Sequence, residues 1–385
     1  MELYIHIPYC RQKCRYCDFA SYAGQEQTMD VYVDALLCEA AATACDTPLS
    51  TAFIGGGTPS ILPPALVNRL LSGLHERFAF TEGMEFTSEA NPGTLTEAWL
   101  RAAITGGVNR ISMGMQAFQP ELLRSLGRIH TYEQVVRSVV LARDAGISSI
   151  SLDLMFGLPG QTPEMWRETL DAALDLAPQH LSCYGLIPED GTPLKRDLDA
   201  GRISLPDEED ERRMYDDTLA ILARHGFQQY EISNFALPGH ACQHNIGYWR
   251  QTPYLGLGAS AASMLHTPQG CLRTANPSDI AGYIDMTKRC NWHRREIIPV
   301  SPEDARFETL MLGLRMTDGV PERHFETLHG ITMEQYCGKT LHALAARGLL
   351  EHADNCWRLT RYGMDVQNAI LVELLEATEN GLSDG

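Results

Sequence analysis

The sequence is short of positive charge. It sets 31 Lys and Arg against 49 Asp and Glu, a formal charge of −18 over 385 residues. Binding along a nucleic-acid backbone needs Lys and Arg, so the composition points away from nucleic acid as a partner. Long hydrophobic runs are missing too, and no uninterrupted apolar stretch reaches the length of a membrane span. No repeat or low-complexity segment stands out, and with the strand-like run Leu3 to Ile7 so near the first residue no secretory leader is expected. The expected location is the cytoplasm, where thiols stay reduced. A disulfide framework is a poor account of the cysteines, since eleven is an odd number and eight of them are scattered. With 44% apolar and 21% charged residues, the chain reads as globular, either one large domain with an appendage or two domains.

The first two hundred residues alternate short apolar runs with amphipathic ones. "LYIHIP", "TAFIGGG", "MEFTSEANP", "NRISMGMQAF", "ISSISLDLMFGLPG" and "HLSCYGLIP" read as strands. Helices are expected over 28–46, 63–79 and 163–176, with another starting near Leu95. Such alternation implies right-handed βαβ units on a parallel sheet, and six units curl into a partial (β/α)6 barrel. The fold class expected is therefore α/β, with ligands at the strand C-termini. The acidic run at 207–211 reads as a solvated helix face. Residues 229–265 lean towards β, and the chain after Pro299 reads as helix, helix, short hairpin, helix, a small winged-helix-like module. The expected organisation is a barrel over 1–228, a β-rich extension over 229–298, the C-terminal module over 299–378 and a tail over 379–385.

Three thiols stand close together. "YIHIPYCRQKCRYCDFASY" (residues 4–22) places Cys10, Cys14 and Cys17 as C-x3-C-x2-C just after the first strand. A structural zinc site takes four ligands, usually as two separated pairs, and the fourth here would be His6 or a distant cysteine. A four-iron cluster normally takes four thiolates; three leave one iron open to a small molecule. In this the chain resembles the radical S-adenosylmethionine superfamily, whose signature is C-x3-C-x2-C after the first strand of a βα barrel. The resemblance implies a 4Fe-4S cluster on these cysteines, with the open iron chelated by S-adenosylmethionine.

Further motifs carry the resemblance into the oxygen-independent coproporphyrinogen oxidase-like branch. "GGGTPS" (Gly55 to Ser60) supplies Gly56, Gly57 and Thr58; "SEANP" supplies Glu89 and "GMQAF" Gln116. "SLGRIH" supplies Arg128 and "SLDLMFGLPGQT" Asp153. The resemblance implies that these positions bind S-adenosylmethionine, with Tyr4 and Tyr16 as aromatic contacts and Ile187 as a backbone contact. It covers nearly the whole chain, the C-terminal module included.

Two activities exist in that branch: decarboxylation of coproporphyrinogen III, and heme delivery by the HemW-like chaperones. The enzyme pattern continues to a fourth cysteine where this chain has Phe19, and it usually carries a longer segment ahead of the first strand. "HNIGYW" (His244 to Trp249) matches the H-N-x-x-Y-W motif of the chaperones. The resemblance therefore implies heme binding by His244, Asn245, Tyr248 and Trp249, with His240, His266 or Cys242 as further axial candidates. It also implies heme-accepting respiratory proteins as partners, an electron donor for the cluster, peripheral attachment at the inner membrane and a homodimer. A radical enzyme acting on another tetrapyrrole stays open. Arg11, Lys13 and Arg15 make the cysteine loop basic, which suits either an acidic group such as a heme propionate or a partner's carboxylate or, the favoured reading, the negative charge of a thiolate-bound cluster.

Overall fold

A computed structural model describes residues 1–267 and 270–382, with side chains up to 377. The tail expected at 379–385 lies beyond the described side chains. Six strands follow one another in the sheet: β1 (Glu2–Ile7), β2 (Leu49–Gly56), β3 (Phe80–Ala90), β4 (Arg110–Gln116), β5 (Ser149–Phe156) and β6 (His180–Gly185). Neighbouring strands are parallel, and helices span each crossover, among them Met29–Ala42, Pro64–Arg77, Glu97–Thr105, Tyr132–Asp144 and Pro163–Leu174. Local chemistry starts these helices. Thr96 and Thr162 accept from the backbone N–H three residues on, and Thr131 forms a capping box with Gln134.

Period-two alternation divides every strand between two environments. Leu3, Ile5 and Ile7 of β1 are fully buried against the helices, as are Ile111, Met113 and Met115 of β4. The intervening Arg110, Ser112 and Gly114 of β4, Asp153 and Met155 of β5, and Ser182 and Tyr184 of β6 face one interior cavity. The barrel interior is thus an open cavity in which charged and polar side chains stand among aromatic and apolar ones.

The barrel stays open, and both of its edges are covered. The sheet order is β12-β11-β10-β9-β1-β2-β3-β4-β5-β6-β8-β7. β7 (Gln228–Gln229) and β8 (Asn234–Ala236) add antiparallel beside β6. β9 (Tyr254–Leu257) adds parallel to β1, followed by β10 (Ala262–Thr267), β11 (Gly270–Ala275) and β12 (Glu296–Val300). One segment within the β-leaning stretch differs from expectation: Gln243–Trp249 is a helix. Its cap explains why. The preceding Cys242 makes no side-chain cap, and the Glu85 carboxylate on β3 accepts from the N–H of Gln243 at 3.0 Å and of His244 at 3.1 Å. A helix this short, capped by a residue more than 150 positions away, leaves no local signal.

The C-terminal module has its own core, including Leu310, Phe325, Leu341, Trp357 and Leu374. Helices Pro302–Gly313, Glu322–His329 and Met333–Ala346 precede the hairpin Leu350–Ala353/Cys356–Leu359, so it holds one more helix before the hairpin than the sequence pattern suggests. The acidic run lies where a solvated helix face was expected: Asp207 caps the helix Glu208–Arg224, and acids fill its first turn. Among the described residues no helix is long and apolar enough to cross a membrane.

Candidate functional site

The cysteine loop crosses the C-terminal end of the barrel. Backbone bonds pin it on both sides: Cys10 N–H to Tyr22 O at 2.9 Å, Arg15 N–H to Leu126 O at 2.9 Å, and Leu194 N–H to Arg15 O at 2.9 Å. Cys10, Cys14 and Cys17 are free thiols, and all three line a cavity of about 430 Å³. Thr58 Oγ1 donates to Cys10 Sγ at 3.6 Å, and Ser21 Oγ lies 3.9 Å from Cys17 Sγ. Burial pushes the Cys10 and Cys17 thiols up, and the charge of Cys14 adds to the effect at both. Thiolates in this loop need a positive partner. Among the described residues no three His, Cys, Asp or Glu side chains gather closely enough to hold a single metal ion. The basic residues have local tasks: Lys13 Nζ donates to Phe19 O at 2.9 Å, and Arg15 pairs with Asp197. Phe19 is 63% exposed at the rim.

The other motif residues converge on the same cavity. Gly56 has φ +108°, and a side chain there would run into the His6 ring; one at Gly57 would meet the Tyr9 backbone. Gly56 N–H donates to Glu89 Oε2 at 3.0 Å. Thr58 is buried and accepts from Asn91 Nδ2 at 2.8 Å, so it braces Cys10 and the SEANP turn together. Arg128 Nη1 donates to Asn91 Oδ1 at 2.9 Å, and the Tyr16 hydroxyl shares the same guanidinium. Ser112 Oγ donates to both carboxylate oxygens of Asp153, at 3.1 and 3.2 Å. Gln116 is buried at the end of β4 with φ 66°. Tyr4 lines an adjoining cavity of about 360 Å³ with Glu89 and Gly56, its hydroxyl 3.0 Å from His6 Nδ1. Ile187 stands apart, 70% exposed on the loop after β6.

Two carboxyls dominate the electrostatics. Burial, reinforced by Asp153, raises Glu89 to about 7, against the opposing Gly56 N–H. Burial also raises Asp153, against the hydroxyls of Ser182 and Ser112. Two enclosed carboxyls held above their ordinary range favour a ligand that brings positive charge.

The HNIGYW helix closes the barrel at the other end of the strands. His244 is 1% exposed, with Nδ1 2.7 Å from Thr51 Oγ1 and Nε2 3.0 Å from the Tyr248 hydroxyl. Its ring stacks on Phe53 at 5.2 Å. Burial lowers His244 to about 3, helped by the Arg110 charge, and burial raises Glu2 to about 8. Their 3.8 Å contact is therefore between a neutral imidazole and a protonated carboxyl at pH 7, not an ion pair. Asn245 lines the large cavity, Tyr248 packs edge-on to Tyr254, and Arg315 lies over the Trp249 ring at 4.6 Å. The four motif residues thus face different surroundings, and both ring nitrogens of His244 are engaged in this conformation.

Comparison with known proteins places the chain. The Radical SAM superfamily profile matches residues 4–173, and the HemN C-terminal domain profile matches 300–366. Heme chaperone HemW of Bacillus subtilis (strain 168) is 38% identical over 371 residues, 95% of this chain and 97% of the relative. The chain belongs to the HemW family of radical SAM proteins. Heme chaperone HemW of Escherichia coli (strain K12) is 37% identical over 96% of this chain and 97% of its own. A solved structure titled as coproporphyrinogen III oxidase (HemN) from Escherichia coli, a radical SAM enzyme, superposes with TM-score 0.82 at 26% identity. It covers 97% of this chain and 89% of its own.

Within this HemW-family chain, the motifs brought out the barrel mouth and the HNIGYW helix but not the strand residues of the floor. Arg110, Glu85 and Glu2 at the floor, and Asn91 at the mouth, were not singled out. The signal for Arg110 was the alternation Arg110-x-Ser112-x-Gly114, polar or small at every second position of an otherwise aliphatic strand. Of the further axial candidates, Cys242 is a buried thiol pushed up to about 12 by burial and donating to Glu85 Oε1 at 3.4 Å. His266 bonds the Gln251 carbonyl at 2.8 Å on the outlying strand β10.

Proposed function

We propose that this chain is a heme chaperone, which binds heme and hands it to heme-accepting respiratory proteins. The single observation that carries the reading is the 38% identity to a heme chaperone over 371 residues, 95% of this chain. On this reading Cys10, Cys14 and Cys17 hold a 4Fe-4S cluster. Thiolates desolvated by burial need positive charge, and an iron–sulfur core would supply it. S-adenosylmethionine sits beside them. Its ammonium and sulfonium fit the cavity of Glu89 and Asp153; Gly56 and Gly57 let it approach the backbone, Arg128 and Gln116 orient it, and Tyr4 and Tyr16 bound its space. When bound, this pair supplies one-electron chemistry.

Heme is assigned to the barrel and the HNIGYW helix. For His244 to reach iron, one of its ring nitrogens must give up its bond, to Thr51 or to Tyr248; Asn245 already faces the cavity. The organisation inferred is a barrel over 1–228, an extension over 229–298 and a module over 299–378. An electron donor for the cluster, a homodimer, a cytoplasmic setting and peripheral contact with the membrane complete the reading.

A second reading, oxygen-independent coproporphyrinogen III dehydrogenase, is favoured by the TM-score of 0.82 to the oxidase. Phe19, exposed where that enzyme pattern has a cysteine, weighs against it. Titrating the anaerobically reconstituted protein with heme tests the proposal. Stoichiometric binding, transfer to an apo heme protein and weaker binding by His244→Ala are expected. An unchanged heme spectrum in that variant removes His244 from the site, and absence of heme binding removes the function.

A further inference from the structure

The floor of the large cavity carries a guanidinium with nothing firm to hold. Arg110 is 3% exposed, at the start of β4, and it lines the cavity. Its Nη1 makes one long bond, 3.4 Å to Thr87 Oγ1, and its buried Nε has no hydrogen-bond partner. Among the described residues it forms no ion pair. Arg295 and Arg315 show the alternative, each paired directly to a fully buried carboxylate, Glu39 and Glu231. Glu85 and Asp153 act on Arg110 only through longer-range attraction. They keep the cation tolerable without filling its donors.

Buried donors are rarely left open, and a planar guanidinium fork suits a carboxylate. The site is distinct from the mouth: Arg110 lies four residues before Gly114, roughly 13 Å along the strand at about 3.3 Å per residue. Nearby Glu85 and Asp153 disfavour a doubly charged phosphate. Asn245, on the helix that closes the floor, adds a neutral amide to the same cavity.

We propose that Arg110, with Asn245, is the carboxylate-binding site of this barrel, and that it receives one propionate of the bound heme. The inference rests on the heme reading and adds where and by what group the ligand is anchored.

The test compares iron protoporphyrin IX with its dimethyl ester on the full, cluster-reconstituted chain. Wild type should bind the free acid at least about tenfold tighter than the ester, the worth of a charge-assisted bond. Arg110→Gln should bring the two within about twofold. Arg110→Lys, which keeps the charge but not the fork, should fall between. Arg11→Gln, on the exposed loop, should keep the full preference. Equal binding of acid and ester by wild type, or a preference that survives in Arg110→Gln, overturns the inference and leaves the heme reading standing. Binding of neither porphyrin overturns both.

Discussion

Glu89 shows how a single residue trades stability for binding. Its carboxyl is held at about 7 by burial and by Asp153, against an ordinary 4.5. An acid raised on folding contributes stability that is lost as the pH climbs from about 4.5 through about 7. Glu89→Gln should therefore raise the melting temperature of the ligand-free protein by a few degrees at pH 8 and by less at pH 5. The same change should weaken S-adenosylmethionine by about tenfold or more, since the ligand's cation loses its carboxylate. Thermal melts at the two pH values and equilibrium dialysis check both halves. At this scale the motif residues were legible because they sit in short, ordered clusters at strand ends. Arg110 was not, because its role comes from the direction a strand residue faces, which sequence reveals only through alternation.

The element that matters most is the helix Gln243–Trp249. Its sequence carries no cap of its own, and a side chain at Gly247 would meet the Glu2 carboxyl and oblige it to shift. Glu85 supplies the cap from β3, joining the motif to the barrel floor. Glu85→Ala should cost about 2 kcal/mol of stability, two charge-assisted backbone bonds less some replacement by water. Urea unfolding measures it, and an unchanged midpoint would mean that the helix does not depend on Glu85. This helix was illegible for a physical reason: seven residues nucleate poorly alone and rely on tertiary partners. The crossover helices capped by Thr96 and Thr162 were readable at least in position, whereas Tyr132–Asp144, capped by Thr131, had no counterpart in the sequence reading.

For the whole molecule, the alternation of strands and helices gave away the parallel barrel. It did not show that the extension covers both open edges, with β8 beside β6 and β9 beside β1. Pairings between strands far apart in sequence are set by the tertiary arrangement, not by local pattern. The outcome is one cavity bounded by the three thiols, the carboxyls Glu89 and Asp153, and the Arg110 floor. The same architecture serves an oxidase at TM-score 0.82, so architecture alone does not separate carrier from enzyme. Phe19 and the helix at 243–249 do the separating in this account. The direct measurement is anaerobic incubation of the reconstituted protein with coproporphyrinogen III, S-adenosylmethionine and a reductant. The account predicts no protoporphyrinogen from a preparation that binds heme; formation of protoporphyrinogen at repeated turnover would contradict it.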